Sequence, residues 1–133
     1  MLTKLAVVTI LVRDQDEALQ YYTEKLGLEK MDDVNFGEGN RWLTVTAPQQ
    51  RDVQIFLQKG DSFGVDLMDS VGRAPSWAFN TDNCRETYRV LKDRGVKFLS
   101  EPKEQPWGIE AVFEDLYGNK FSVVEEPIGS MRT

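Results

Sequence analysis

Histidine is absent from all 133 residues. Imidazole is the commonest transition-metal ligand and the usual general base near neutral pH. Its absence removes Ser-His-Asp and Cys-His triads and every zinc site built on imidazole. A metal would have to be held by carboxylates, which favour weakly bound magnesium, calcium or manganese. Cysteine occurs once, at Cys84, which excludes an internal disulfide and fits a reducing cytoplasm. No apolar run approaches the roughly 20 residues that cross a bilayer. Met1 to Val8 leads straight into a strand-like stretch, without the apolar core or cleavage site of a signal peptide. Basic residues are outnumbered, 16 Lys and Arg against 22 Asp and Glu, for a net charge of −6. Phosphate backbones are neutralised by Lys and Arg, so nucleic acid is not an expected partner. The expectation is a cytoplasmic protein with neither a membrane nor a nucleic-acid partner. The acidic excess either serves solubility or attracts a cationic ligand.

What is present has a repeating order. Leu5 to Val12 is β-branched and apolar, a buried strand. Asp14 followed by Glu17 marks a helix start, Ala18, Leu19, Tyr22 and Leu26 keep helical spacing, and Gly27 ends the helix. Leu28 to Met31 is extended, and Asp32 to Asn40 is polar and glycine-bearing. Strands are predicted over 41–46 and 52–58, with a turn at 48–51. The second half runs in the same order. A strand at Trp77 to Phe79 precedes a helix capped by Asn83 with Glu86 and ended by Gly95. An extended 96–99, a proline-containing loop 101–107, a strand 109–113, a tight turn 116–119 and a strand 120–124 follow. Asp14 and Asp82 lie 68 positions apart, as do Gly27 and Gly95. A repeat at half the chain length implies two equivalent units. The fold expected is α+β with two tandem βαβββ modules, 1–58 and 76–133, the second carrying a C-terminal tail. Residues 59–75, rich in glycine, aspartate and serine, read as a linker.

Val12-Arg13-Asp14, Tyr21-Tyr22 and Leu26-Gly27-Leu28, together with Gly95-Val96-Lys97-Phe98, Pro106-Trp107-Gly108 and Phe113-Glu114-Asp115-Leu116-Tyr117-Gly118-Asn119, resemble the glyoxalase/bleomycin-resistance/dioxygenase superfamily. Leu116 replaces the proline usual in its Asp-Pro-x-Gly-Asn turn. The likeness runs from Leu5 to Glu126. It implies sheets curved around a cavity with helices on their outer faces, and a homodimer that in some relatives exchanges modules. Metalloenzymes of the family carry one ligand on the first strand and one on the last strand of each module. Those positions fall on Val7, Ile55 (to within about one residue, with Gln54 or Phe56 on a slip of register), Ser76 and Ser122. Valine and isoleucine have no donor atom, and neutral hydroxyls are poor ligands. The expectation is therefore no metal and no cofactor, and no glyoxalase, extradiol-cleaving or thiol-transfer chemistry of the metal-dependent kind.

Strand alternation then places Val7, Thr9 and Leu11, Val53, Ile55 and Leu57, Ser76, Ala78 and Asn80, and Lys120, Ser122 and Val124 toward the cavity. Such a lining, apolar with a few polar anchors, suits a small organic molecule; the alternative is that these side chains simply fill the interior. Trp42 shares the parity of Thr44 and Thr46, and Trp107 lies in the Pro-Trp-Gly loop. Both suit stacking on a flat or cationic ligand, and both equally suit a core or dimer interface. Glu101, Glu104, Glu110 and Glu114 read as a solvated rim rather than acid–base machinery. Cys84 sits in a helix's first turn, where a thiol pKa can fall, but its spacing with Tyr88 favours burial. No catalytic residue is assigned. The ligand-binding candidates are Val7, Thr9, Trp42, Ile55, Ser76, Asn80, Trp107 and Ser122. The function expected is metal-independent capture of a small molecule such as an antibiotic. The alternatives are a lyase, isomerase or dioxygenase with a non-standard or metal-free site, and a regulatory interaction domain.

Overall fold

The computed structural model describes residues 1–126; the tail expected to end the second module lies outside them. The chain divides into two compact units, Met1–Ala74 and Pro75–Thr133. In the first, β1 (Val7–Val12), α1 (Gln15–Gln20), β2 (Glu29–Asn35), β3 (Arg41–Ala47) and β4 (Gln50–Lys59) follow one another. Their sheet has the order β1-β4-β3-β2, with β1 parallel to β4 and the other pairs antiparallel. In the second unit, β5 (Trp77–Asn80), α2 (Cys84–Asp93), β6 (Lys97–Phe98), β7 (Lys103–Gln105), β8 (Gly108–Glu114) and β9 (Lys120–Glu125) build the order β5-β9-β8-β6. Strands β6 and β7 pair with opposite ends of one edge of β8. They are two halves of one interrupted strand, so the unit is still βαβββ. The segment expected to be a loop over 101–107 contains β7 because Lys103 and Glu104 pair across a two-residue hairpin turn at Pro106-Trp107.

Both helices start as their caps dictate. The Asp14 carboxylate accepts from the Glu17 amide at 3.0 Å, and the Asn83 side chain from the Glu86 amide at 3.0 Å. Both end before a left-handed glycine, Gly27 at φ 76° and Gly95 at φ 90°. From cap to glycine the first helix is one residue longer than the second. That extra residue is taken up by a π turn over Tyr21–Lys25. The repeat is therefore 69 positions at the caps and 68 at the glycines.

In the first unit, Arg41 donates to both carboxylate oxygens of Asp33 at 2.8 and 2.9 Å and to Asp16 of α1 at 2.7 Å. Arg41 has the parity of Leu43 and Val45, so α1 covers that face of the sheet. Beneath it Ile10, Val12, Leu43, Val45 and Leu57 are buried with Ala18 and Tyr22. Buried Gln15 pins the helix by donating to the carbonyls of Leu57 at 2.8 Å and Arg41 at 2.9 Å. Residues read as a linker belong to this unit. The Gly60 amide donates to Val12 and the Leu67 amide to Gly60, and Val71 is buried. The first unit thus ends at Ala74 rather than at residue 58.

In the second unit α2 lies on the face of Trp77, Phe79, Phe98, Phe113 and Phe121. Tyr88 meets Phe98 edge-on at 4.7 Å, and Phe113 stacks on Phe121 at 5.4 Å. Cys84 is wholly buried, and burial pushes its thiol above the ordinary value, with Glu125 adding to the effect. Among the described residues no helix is long and apolar enough to cross a membrane.

Candidate functional site

The face of the first sheet opposite α1 gathers aromatic rings. Trp42 and Phe56 lie 4.4 Å apart, Phe56 and Phe63 5.8 Å, and Phe63 and Phe36 6.4 Å. Strand pairing places the first two: Thr44 stands opposite Phe56, so Trp42, Thr44 and Phe56 share a face. Phe36 comes from the β2–β3 turn and is two-thirds exposed. Phe63 enters from the segment after β4 with a left-handed backbone, φ 52°, its amide held by the Asn40 side chain at 2.7 Å. A bulky residue in that conformation is uncommon. Here it carries the ring onto Phe56.

Polar groups edge this array. A bulge in β2 between Lys30 and Asp33 lets Asp32 reach inward. Its carboxylate accepts from the Trp42 indole N–H at 3.2 Å, and its backbone amide donates to the Thr44 hydroxyl at 3.0 Å. Thr44 in turn donates to the Gln54 side-chain oxygen at 2.7 Å. Phe56 is itself only 7% exposed beneath Trp42 and Phe63, so the site offers the half-buried Trp42 indole, one carboxylate and one primary amide, which suits stacking and hydrogen bonding rather than bond-breaking.

The sequence-derived candidates divide between the units. On the first, half-buried Val7 pairs with Gln54, and exposed Thr9 pairs with Phe56, on the same face as Trp42. Ile55 is not with them. It pairs with Val8 and Val45, and so belongs to the helix-covered core, 8% exposed. Val53 and Leu57 share its parity and fall on that side too. Thr9 and Ala78 each lie five residues before their helix cap, and their partners are Phe56 and Ser122. Phe56 is thus the counterpart of Ser122, one position beyond the alignment by half-chain repeat. On the second unit, Asn80 and Ser122 share the face away from α2, with Ser122 buried between Ala78 and Val112. Ser76 is exposed just before β5, and Trp107 is 42% exposed at the tip of the β7–β8 hairpin.

A metal does not fit these residues. Replacing Ile55 by Phe56 substitutes one hydrocarbon for another, and Val7, Ser76 and Ser122 are as donor-poor as their types require. Among the described residues no three His, Cys, Asp or Glu side chains converge on one point.

Sequence reasoning missed Phe36, Phe63 and Asp32, and reached Gln54 and Phe56 only as one-residue slips from Ile55. Phe63 stood out only as an aromatic in a glycine-rich stretch, and Asp32 looked like loop because the bulge breaks alternation.

Comparison with known proteins agrees with the fold. The Glyoxalase/Bleomycin resistance protein/Dioxygenase superfamily model matches residues 4–123. The uncharacterized protein YurT of Bacillus subtilis (strain 168) is 34% identical, covering 92% of this chain and 99% of YurT. The crystal structure of UcmS2 superposes with a TM-score of 0.83 at 39% identity, over 93% of this chain and 98% of UcmS2. That of TnmS3, an antibiotic binding protein from Streptomyces sp. CB03234, gives 0.79 at 28% identity, over 95% and 98% of the two chains. With its βαβββ units and a match spanning nearly its whole length, the chain belongs to the Glyoxalase/Bleomycin resistance protein/Dioxygenase superfamily.

Proposed function

We propose that this protein binds a small, flat organic molecule on the open face of its first unit, without a metal, and acts by sequestering it. The observation that carries the reading is the Trp42–Phe56 pair, 4.4 Å apart on a sheet face that α1 leaves uncovered. A planar ligand stacked on the half-buried Trp42 indole, which Phe56 backs, gains about 0.5–1.5 kcal/mol beyond the area it buries. The Asp32 carboxylate, tied to the indole edge, favours a ligand that is positively charged or carries donor hydrogens. The net charge of −6 acts in the same direction. Likeness to an antibiotic-binding protein supports an antibiotic-like ligand as the class. We extend the reading to a cytoplasmic homodimer, for which light scattering should return twice the 15.2 kDa chain mass.

Calorimetric titration with proflavine, a planar cation, tests the proposal. Saturable one-site binding is expected, weakened about tenfold by Trp42→Ala and severalfold by Asp32→Asn. Absence of binding across a panel of planar cations and neutral tricycles would exclude it.

A further inference from the structure

Beyond a stacking platform, the face carries a hydrogen-bond donor whose direction is set by the protein. We infer that Gln54 is a specificity-determining residue that presents its amide N–H₂ to an acceptor oxygen on the bound molecule, so that planar carbonyl compounds are the preferred ligand class. The inference rests on the binding-face reading above.

Thr44 is wholly buried. Its hydroxyl oxygen already accepts the Asp32 amide at 3.0 Å, and the oxygen lies 2.7 Å from the Gln54 side chain. A hydroxyl has one hydrogen to give. If the Gln54 nitrogen faced Thr44, that hydrogen would be enclosed with no acceptor, which costs more than a typical net hydrogen bond contributes. The orientation that satisfies both groups puts Gln54 Oε1 toward Thr44. Nε2 then points away from it, with two hydrogens to donate.

Among the described residues the Gln54 amide nitrogen has no acceptor, and the enclosed polar atom lacking a partner is the Trp77 indole nitrogen, not this one. Gln54 is half-buried and therefore open to a ligand. It precedes Phe56 by two residues on the same strand, so its amide stands roughly 6–7 Å along β4 from the ring that stacks on Trp42. That spacing is about the width of two fused rings. A tricycle set against the half-buried Trp42 indole brings a substituent oxygen to Gln54, beside Asp32, since both bond to the Thr44 hydroxyl. Thr44 does not touch the ligand in this arrangement; it is a positioning residue that keeps the amide from turning over.

The experiment compares 9-fluorenone with fluorene, planar tricycles that differ only in a carbonyl replacing a methylene. The wild-type protein should bind fluorenone about three- to tenfold more tightly. Gln54→Leu should bring that ratio to one. Thr44→Val, which keeps Gln54 but frees its amide, should lower the ratio, and Thr44→Ser should restore it. Folding is checked by melting each variant, and the ratio within one protein is insensitive to a loss of stability. A ratio near one in the wild type, or one that survives Gln54→Leu, overturns the assignment of Gln54 and leaves the platform standing. Failure of both compounds to bind wild-type protein that still binds proflavine overturns this assignment alone, and failure of proflavine as well overturns the platform with it.

Discussion

Mutations at the adjacent residues Ile55 and Phe56 should both cost stability but differ in what they do to binding. Ile55 is 8% exposed in the core under α1, paired with Val8 and Val45, whereas Phe56 faces the other way against Trp42 and Phe63. Ile55→Ala deletes three buried carbons among side chains that a helix holds in place, so the hole collapses only in part. Substitutions of this kind cost about 2–4 kcal/mol. For a chain of this length that lowers the melting temperature by roughly 10 °C. Affinity for a planar probe, measured well below the transition, should remain within about twofold. Phe56→Ala removes the ring that stacks on Trp42. It also destabilises, since Phe56 is 7% exposed, but its signature is an affinity loss of about 2- to 12-fold for each ring contact removed. Circular dichroism melts and calorimetric titration at 15 °C supply both readings. If Ile55→Ala abolished binding without lowering the melting temperature, the strand register assigned here would be wrong.

Arg41→Met should destabilise the first unit by about 1 kcal/mol, because a bidentate pair with Asp33 is lost while the exposed Asp16 contact adds little. Arg41 holds the Asp33 carboxyl below its ordinary 3.8, so the wild-type advantage is complete above about pH 4 and shrinks as acid protonates Asp33; urea melts of both proteins at pH 7 and pH 2.5 check this. Cys84, buried and with its thiol pushed upward, should react with Ellman's reagent at pH 8 at least about a hundredfold more slowly in native protein than in guanidinium; equal rates would contradict the burial. Gly108→Ala should yield little folded protein, because at φ 139° its Cβ would meet the Glu125 carbonyl oxygen and the β7–β8 hairpin would have to move. Recovery of normal soluble yield and an unchanged melt would count against that geometry.

Much of the fold was legible because it depends on local chemistry. Asp14 and Asn83 are helix caps by side-chain reach, and Gly27 and Gly95 end helices where other residues would be strained. Face assignment in the second unit followed from alternation, since β5 and β9 run without a bulge. In the first unit alternation held along β4 but started from Ile55, the position given by aligning the two halves, which is one residue short of Phe56. The bulge after Lys30 concealed the rest of β2, and with it Asp32. Segment 59–74 has the composition of a linker, yet it is held by backbone bonds to Val12 and Gly60 that carry no side-chain signature. The aromatic array is a product of pairing between strands distant in sequence, which no local pattern records.

The most direct test uses a protein whose sole indole is Trp42, made by Trp77→Phe and Trp107→Phe. Its emission should be quenched saturably by a planar aromatic compound, with a midpoint matching the calorimetric affinity, and Phe56→Ala in the same background should shift that midpoint upward. Calorimetric binding that left the Trp42 emission unchanged at saturation would mean that the ligand lies elsewhere, and the open face of the first unit would lose its assignment.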